Sequence, residues 1–352
     1  MERCERCLMP TTKPGLIMKD GICGGCLNYD KRATTDWGER QKELRKICDT
    51  YRSDLNYDCM IAVSGGKDSH WIVKTLVEDY DMHPLLVTVN DNFKHTETGN
   101  HNLKNLINQY GLTHYAYTIS NTLFVDATRY AFEELGNPLK YIEYAIYTKP
   151  YELAKQMGIP LVFFGEDSAW QYGTSEIERD LANNVIWYLA QEIEKEVDWW
   201  LNGGLELRDV YNIYTDVGRT PSVYFMSYFH PWSSVDHLYY ATKMGFKTLG
   251  NTKEWFRKGV VEDFEQIDSY GYLVHLWLRY PRHGYQRTTD IVSRRIREGQ
   301  MTKQGGKILI DRNDHLLDDL ALDNFCDVLG YTEDEFWEIV ESSGWNQYYF
   351  KE

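Results

Sequence analysis

The chain has 352 residues, 43% of them hydrophobic, enough to bury a sizeable core in one main domain with smaller additions. Its formal net charge of −15 argues against nucleic acid as a partner, because binding a polyanion needs a basic footprint that releases counterions. No apolar run reaches membrane-spanning length and Met1-Glu2-Arg3-Cys4 is unlike a signal peptide, so a cytoplasmic protein without a membrane partner is expected.

Seven cysteines are an odd number for a disulfide framework, and four of them form two Cys-x-x-Cys pairs. Cys4 and Cys7 are separated from Cys23 and Cys26 by a spacer holding Pro10, Pro14 and Gly15, and Gly24-Gly25 lies between the second pair of thiols. This spacing predicts a tetrahedral Cys4 zinc ribbon or knuckle over residues 1–35, with an iron–sulfur cluster or a redox-active pair as the alternatives. With all four positions filled by thiolates, such a zinc ion is structural.

Asp36 to Leu55 carries Trp37, Leu44, Ile47, Tyr51 and Leu55 near helical spacing and reads as a helix linking that segment to an α/β domain. Next comes Ile61-Ala62-Val63-Ser64-Gly65-Gly66-Lys67-Asp68-Ser69, an apolar strand that breaks at two glycines into a helix expected over His70 to Tyr80. Backbone N–H groups at such a helix start face an anion, and the glycines allow close approach. Ser64 and Ser69 add hydroxyls, Lys67 adds charge, and Asp68 is placed to hold magnesium. The spacing is not that of Walker A. It resembles the SGGxDS signature of the ATP pyrophosphatases, the PP-loop family, which cleave ATP between its α- and β-phosphates.

Leu85 to Val89, Thr113 to Ile119 and Ile159 to Phe164 read as further strands, alternating with helices over Leu103 to Tyr110, Leu123 to Leu135 and Tyr151 to Met157. The alternation predicts a parallel sheet, with ligands at the carboxyl ends of its strands. Asn90, after the second strand, is a candidate for adenosine contact, or else a plain strand-end turn residue. Gly165, Glu166 and Asp167, after the fourth, are candidates for metal or substrate, or else ordinary turn residues.

Leu181 to Leu201 repeats apolar residues every fourth position and reads as one helix. Its Trp187, Tyr188, Trp199 and Trp200 are either core or a docking surface. Between Arg279 and Arg297 the Arg and His side chains cluster, among them Arg282, His283 and Arg287, close to Asp290. Such a cluster suits a phosphorylated small molecule; the alternative is a helix face paired with the chain's many acids. Asp318 to Leu329 and Glu333 to Ser342 are expected as terminal helices.

Taken together, the Cys4 segment, Ser64 to Ser69, Phe164-Gly165-Glu166-Asp167 with Tyr172-Gly173, and Arg282 to Asp290 resemble one PP-loop branch along nearly the whole chain. That branch is the N-acetyl sugar amidotransferases of surface-polysaccharide biosynthesis, associated with pseudaminic and legionaminic acids and O-antigen sugars. Asp167 stands where the family has Asn. The resemblance implies an α/β PP-loop fold (adenine nucleotide alpha-hydrolase-like) over residues 36–180, with a mainly helical substrate-binding part over 181–352. It implies an enzyme using ATP, Mg2+ and Zn2+ to convert an acetamido group of a nucleotide-sugar into an acetamidino group. By the same resemblance Lys67, Asp68 and Glu166 are catalytic, and Ser64, Gly65, Gly66, Ser69, Asn90 and Gly165 bind ATP or pyrophosphate. Arg282, His283, Arg287 and Asp290 bind the sugar nucleotide. Nothing in the chain resembles a glutaminase. Ammonia is therefore expected from a separate subunit similar to the amidotransferase of histidine biosynthesis, with a cyclase-like companion. Two rivals are a tRNA-thiolating PP-loop enzyme, disfavoured by the charge and by Cys59 and Cys326 being the only cysteines beyond Cys48, and a non-enzymatic ATP-binding zinc-ribbon scaffold.

Overall fold

The computed structural model describes residues 1–54, 56–176 and 178–349. A short antiparallel hairpin, β1 (Met18–Lys19) and β2 (Ile22–Cys23), carries the third cysteine into the helix Gly24–Lys31. The helix expected from Asp36 spans Trp37–Tyr51, capped by the Asp36 carboxylate, which accepts from the Glu39 N–H; residue 55 lies outside the described residues.

Five strands form the central sheet: β3 (Cys59–Ala62), β4 (Pro84–Val89), β5 (His114–Tyr117), β6 (Leu161–Phe164) and β7 (Ser222–Phe225). They lie in the order β5-β4-β3-β6-β7, and every neighbouring pair is parallel. The expected α/β class is thus observed, with an N-terminal Cys4 segment and a helical C-terminal part. The fifth strand lies beyond the boundary expected at residue 180. Only four residues of an aromatic stretch form it, too few to show a period in the sequence.

The chain builds outward from β3 through β4 to β5, then returns to the other side of β3 for β6 and β7. This reversal makes the carboxyl ends of β3 and β6 a topological switch point, where open parallel sheets leave a crevice. Helices bury both faces. Cys59, Ile61 and Val63 pack with Leu44, Ile72 and Phe163, whereas Met60 packs on the opposite face with Tyr151, Ala154 and Ile186, as the two-residue period of a strand requires. The largest core, around Phe124, Phe132, Trp277, Phe325 and Phe336, joins the helices Asn121–Leu135 and Tyr272–Trp277 to the terminal pair Asp319–Leu329 and Glu333–Ser342.

Several boundaries differ from those read in the sequence. The first sheet helix begins at Lys67 rather than His70 and ends at Lys74 in a π-helical turn over Thr75–Asp79. The helix over Lys140–Met157 runs through Pro150. The long helix divides into Leu181–Lys195 and Val197–Asn202, so Trp200 is fully buried and Trp199 packs on Tyr130, while Trp187 and Tyr188 stay exposed. No helix among the described residues is long and apolar enough to cross a membrane.

Candidate active site

The glycine loop leaves β3 at the switch point. Gly65 has φ +82°, and a Cβ there would lie 2.8 Å from the Leu103 backbone, so both conformation and space call for glycine. Gly66 caps the helix Lys67–Lys74 in extended conformation. The loop is braced from within: Ser69 Oγ accepts from the Ser64 N–H at 3.0 Å, and Ser64 Oγ accepts from the Gly66 N–H at 3.3 Å. His70, fully buried, holds the loop's last carbonyl, with Nδ1 3.0 Å from Gly66 O.

Lys67 and Asp68 face a cavity of about 480 Å3. Lys67 Nζ lies 2.7 Å from Asp68 Oδ2, and His237 Nδ1 lies 2.6 Å from Asp68 Oδ1. Burial opposes charge on Asp68, but Lys67 and His237 outweigh it and hold the carboxyl well below the usual carboxylate range. For His237 burial prevails over the pull of Asp68 and lowers its affinity for a proton, so the neutral ring donates from Nδ1 to Asp68. Its ring is 1% exposed, stacks on Trp71 at 4.2 Å and meets Trp232 edge-on. Sequence reasoning passed over this residue, which reaches Asp68 from the helix Ser234–Lys243 far along the chain.

After β6, Gly165 and Glu166 line the same cavity. A Cβ on Gly165 would lie 2.8 Å from Ile72 Cδ1, which explains glycine at the crossing of this turn with the phosphate-loop helix. Burial, reinforced by the charges of Asp68 and Asp167, raises the Glu166 carboxyl to about 7. Asp167 points elsewhere: Oδ1 accepts from the N–H groups of Ala169 and Trp170 at 3.1 and 3.0 Å, capping the turn Ser168–Tyr172. An Asn Oδ1 would accept the same two bonds.

The opposite wall comes from the C-terminal half. Arg279, Arg287 and Arg294 line the cavity with Phe264, Glu265, Tyr272 and His275. Of the four residues expected to bind substrate, only Arg287 reaches it. Asp290 is 1% exposed and bound by Arg279 at 2.7 Å and Lys13 at 3.3 Å. Arg282 turns to the Gly136 carbonyl, and the His283 ring lies against Tyr285. Asn90 does not line the cavity either; its Nδ2 donates to Thr118 Oγ1 at 3.0 Å, while neighbouring Val89 and Asp91 do line it. In the helix Arg287–Arg297 the inward polar positions 287, 290, 294 and 297 are spaced 3, 4 and 3 apart, one stripe of an α-helix. That spacing was the available signal for Arg294.

The four N-terminal cysteines are buried, with their sulfur atoms all within 4.8 Å of one another; Cys7 and Cys23 are 3.5 Å apart, Cys4 and Cys26 3.9 Å. This is a group that can hold a metal ion. Four thiolates at about 2.3 Å from one tetrahedral ion are about 3.8 Å apart, so the geometry fits a single ion. The segment is tied to the cavity. A Cβ on Gly24 would meet the Gly173 carbonyl at 2.6 Å, and Arg297, 4% exposed, donates to the Trp170 and Gln171 carbonyls in the turn that places Gln171 and Tyr172 in the cavity wall.

None of the described residues lining the cavity is a cysteine. The chain has distant similarity to several known proteins. The NH3-dependent NAD synthetase from Campylobacter jejuni covers 51% of this chain and 92% of its own, at 12% identity and a TM-score of 0.31. The U34-tRNA thiolase NcsA from Methanococcus maripaludis, solved with its 4Fe-4S cluster, covers 94% and 96%, at 14% identity and a TM-score of 0.34. An uncharacterized protein of Methanocaldococcus jannaschii is 24% identical over 168 residues, 47% of this chain; the match spans 59% of that relative's length. Residues 246–352, which supply the arginine wall, match the family described as LPS biosynthesis protein WbpG-like, C-terminal domain.

Proposed function

We propose that the protein is an ATP-dependent amidotransferase that converts the acetamido group of a nucleotide-activated sugar into an acetamidino group for surface-polysaccharide biosynthesis. The observation that carries this reading is one cavity lined on one side by the glycine loop with Asp68 and Glu166, and on the other by Arg279, Arg287 and Arg294. A phosphate-cradling loop opposite three guanidinium groups suits two phosphorylated ligands held face to face.

An amide carbon is a poor electrophile and its oxygen a poor leaving group. In the proposed reaction the amide oxygen attacks the α-phosphorus of ATP and pyrophosphate leaves, giving an imidate adenylate. Ammonia adds to the imidate carbon, AMP departs with the former amide oxygen, and loss of a proton leaves the amidine. The N–H groups that open the helix at Lys67 to Ser69, with the Lys67 ammonium, hold the pyrophosphate, and Glu166 is placed to take up a proton near neutral pH. Asp68, charged and lining the cavity, would hold magnesium, which would supply positive charge to offset that of the phosphates. Cys4, Cys7, Cys23 and Cys26 would hold zinc in a structural role, their close spacing favouring one ion over thiolates spread across the corners of a cluster.

Ammonia would come from a separate glutaminase subunit, with a cyclase-like companion, docking where Trp187 and Tyr188 are exposed. Incubating nucleotide-linked diacetamido sugars with ATP, magnesium and ammonium tests the reading. Pyrophosphate release should depend on the sugar, and mass spectrometry should show oxygen replaced by NH. The chain alone should use ammonium, better as pH rises, and almost no glutamine. Sugar-independent pyrophosphate release, or none with any acetamido sugar, would overturn the reading.

A further inference from the structure

Five donor contacts converge on one carboxylate, Glu265. Its Oε1 accepts from Lys67 Nζ at 2.9 Å, Ser234 Oγ at 3.1 Å and Arg294 Nη1 at 3.3 Å. Its Oε2 accepts from Arg294 Nη2 at 2.6 Å and from Arg287 Nη2. The side chains of Lys67, Arg287, Arg294 and Glu265 are 2, 3, 9 and 9% exposed. Among the described residues these three buried cations form ion pairs with two carboxylates, Asp68 and Glu265. Buried charge left uncompensated is expensive, and a cluster with positive charge in excess on a cavity wall is made for an anion of higher charge than a carboxylate. Arg287 Nε, buried in that wall, has no hydrogen-bond partner.

The cations and their counter-ion differ in how they are held. Lys67 and the two arginines stand on the helices Lys67–Lys74 and Arg287–Arg297. Glu265 comes from an irregular stretch between the helices Leu249–Thr252 and Tyr272–Trp277, and the next residue, Gln266, has φ +50°, a conformation that non-glycine residues adopt at a cost. Long segments of this kind inside compact domains are usually functional. The cations of the cluster thus stand on helices, and the acid on a non-helical stretch whose backbone is held by Glu262, which accepts from the Glu265 N–H at 2.8 Å, and by Arg257, which donates to the Glu265 carbonyl at 2.9 Å.

We propose that Lys67, Arg287, Arg294 and Ser234 form the far half of the phosphate site, that this half takes the pyrophosphate portion of a nucleoside triphosphate, and that Glu265 occupies its place and swings out when the anion enters. The inference rests on reading the cavity as an ATP site. Lys67 belongs to both halves, so the bound pyrophosphate reaches from the glycine loop to the arginines. Phosphate oxygens accept the same forked guanidinium donors that the carboxylate now accepts.

Calorimetric titration of the full-length protein with inorganic pyrophosphate tests this without sugar, ammonia or turnover. An internal competitor lowers apparent affinity by the fraction of time it fills the site, so Glu265→Gln should bind pyrophosphate about tenfold more tightly than wild type. Arg294→Gln should bind it about tenfold more weakly. A Glu265→Gln protein with wild-type circular dichroism and equal or weaker binding would overturn the proposal, and is the outcome expected if the cluster only ties two helices together. Should that variant misfold, hydrogen exchange on the wild type decides. Pyrophosphate should speed amide exchange across residues 262–268, and unchanged or slower exchange would contradict the displacement. If sugar-dependent pyrophosphate release is found but Glu265→Gln binds no tighter, only this inference fails; the converse result strikes the amidotransferase reading alone.

Discussion

On its sheet side the cavity presents backbone, short side chains and Lys67 from one contiguous stretch, Ser64 to Ser69, held by a helix start and by hydroxyl contacts within the loop. On its helical side it presents long cationic side chains, Arg279, Arg287 and Arg294, gathered from two helical elements and neutralised in part by Glu265 and Asp290. The first wall is fixed by backbone conformation and tolerates little change; the second is fixed by ion pairs that can be exchanged for others. A ligand group bound at the first is positioned for chemistry, and one bound at the second is selected by charge.

The largest effect should come from the first wall. Asp68→Ala should lower turnover by about a hundredfold or more, the typical loss when charge stabilisation at a reacting phosphate is removed, with the far-ultraviolet circular dichroism unchanged. Near-normal turnover in a folded variant would break the assignment of this wall to chemistry. On the second wall Arg279→Gln leaves Asp290 with Lys13, and should raise KM about tenfold while kcat stays within about twofold, the mark of lost ground-state binding. A kcat loss matching that of Asp68→Ala would erase the distinction.

The Cys4 segment braces the turn between the walls. About one metal ion per chain is expected, held whether or not ATP is present, and Cys7→Ser should lose it, with several kcal/mol of stability. Elemental analysis checks the ion and thermal denaturation the stability; zinc is expected, and iron with visible absorption would contradict it.

Glu166 supplies a pH signature. Its carboxyl is raised from 4.5 to about 7, so at pH 4 it is protonated in both folded and unfolded states and costs nothing. As pH rises through about 7 the folded protein must carry a charge that the unfolded chain accepts more readily, and stability is lost. Glu166→Gln should therefore match wild type at pH 4 and exceed it at pH 8 by about 1–2 kcal/mol, discounted for partial exposure to the cavity, while turnover falls. Equal stability at pH 8 would show that the carboxyl titrates normally. The smallest effect on activity belongs to Asp167→Asn, which keeps the acceptor for the Ala169 and Trp170 N–H groups. Turnover should stay within about twofold.

What was legible in the sequence follows the same division. The glycine loop and the cysteine pairs are local: residues that act together are neighbours in the chain, and their spacing is set by turn geometry. The parallel sheet was legible through alternation, except β7, whose four residues carry too short a pattern. The arginine wall was seen only as a cluster. Which of its members face inward depends on helix phase, and the helix Arg287–Arg297, buried on nearly all sides, turns its charged stripe toward the protein. Asp290 and Arg282 read as ligands because they are charged within a motif; in the structure their charges are met by Arg279 and Lys13 for the first and by the Gly136 carbonyl for the second. His237 had no local signal, since its partner Asp68 is 169 positions away.

The central claim is that the oxygen of an acetamido group attacks the α-phosphorus of ATP in this cavity. The most direct test uses the nucleotide-sugar that supports turnover, prepared with oxygen-18 in its acetamido carbonyl, in the presence of ATP, magnesium and ammonium. Mass spectrometry of the AMP should show one oxygen-18 per molecule formed and none in pyrophosphate. Unlabelled AMP, with the oxygen-18 retained in the sugar or released to water, would contradict the account.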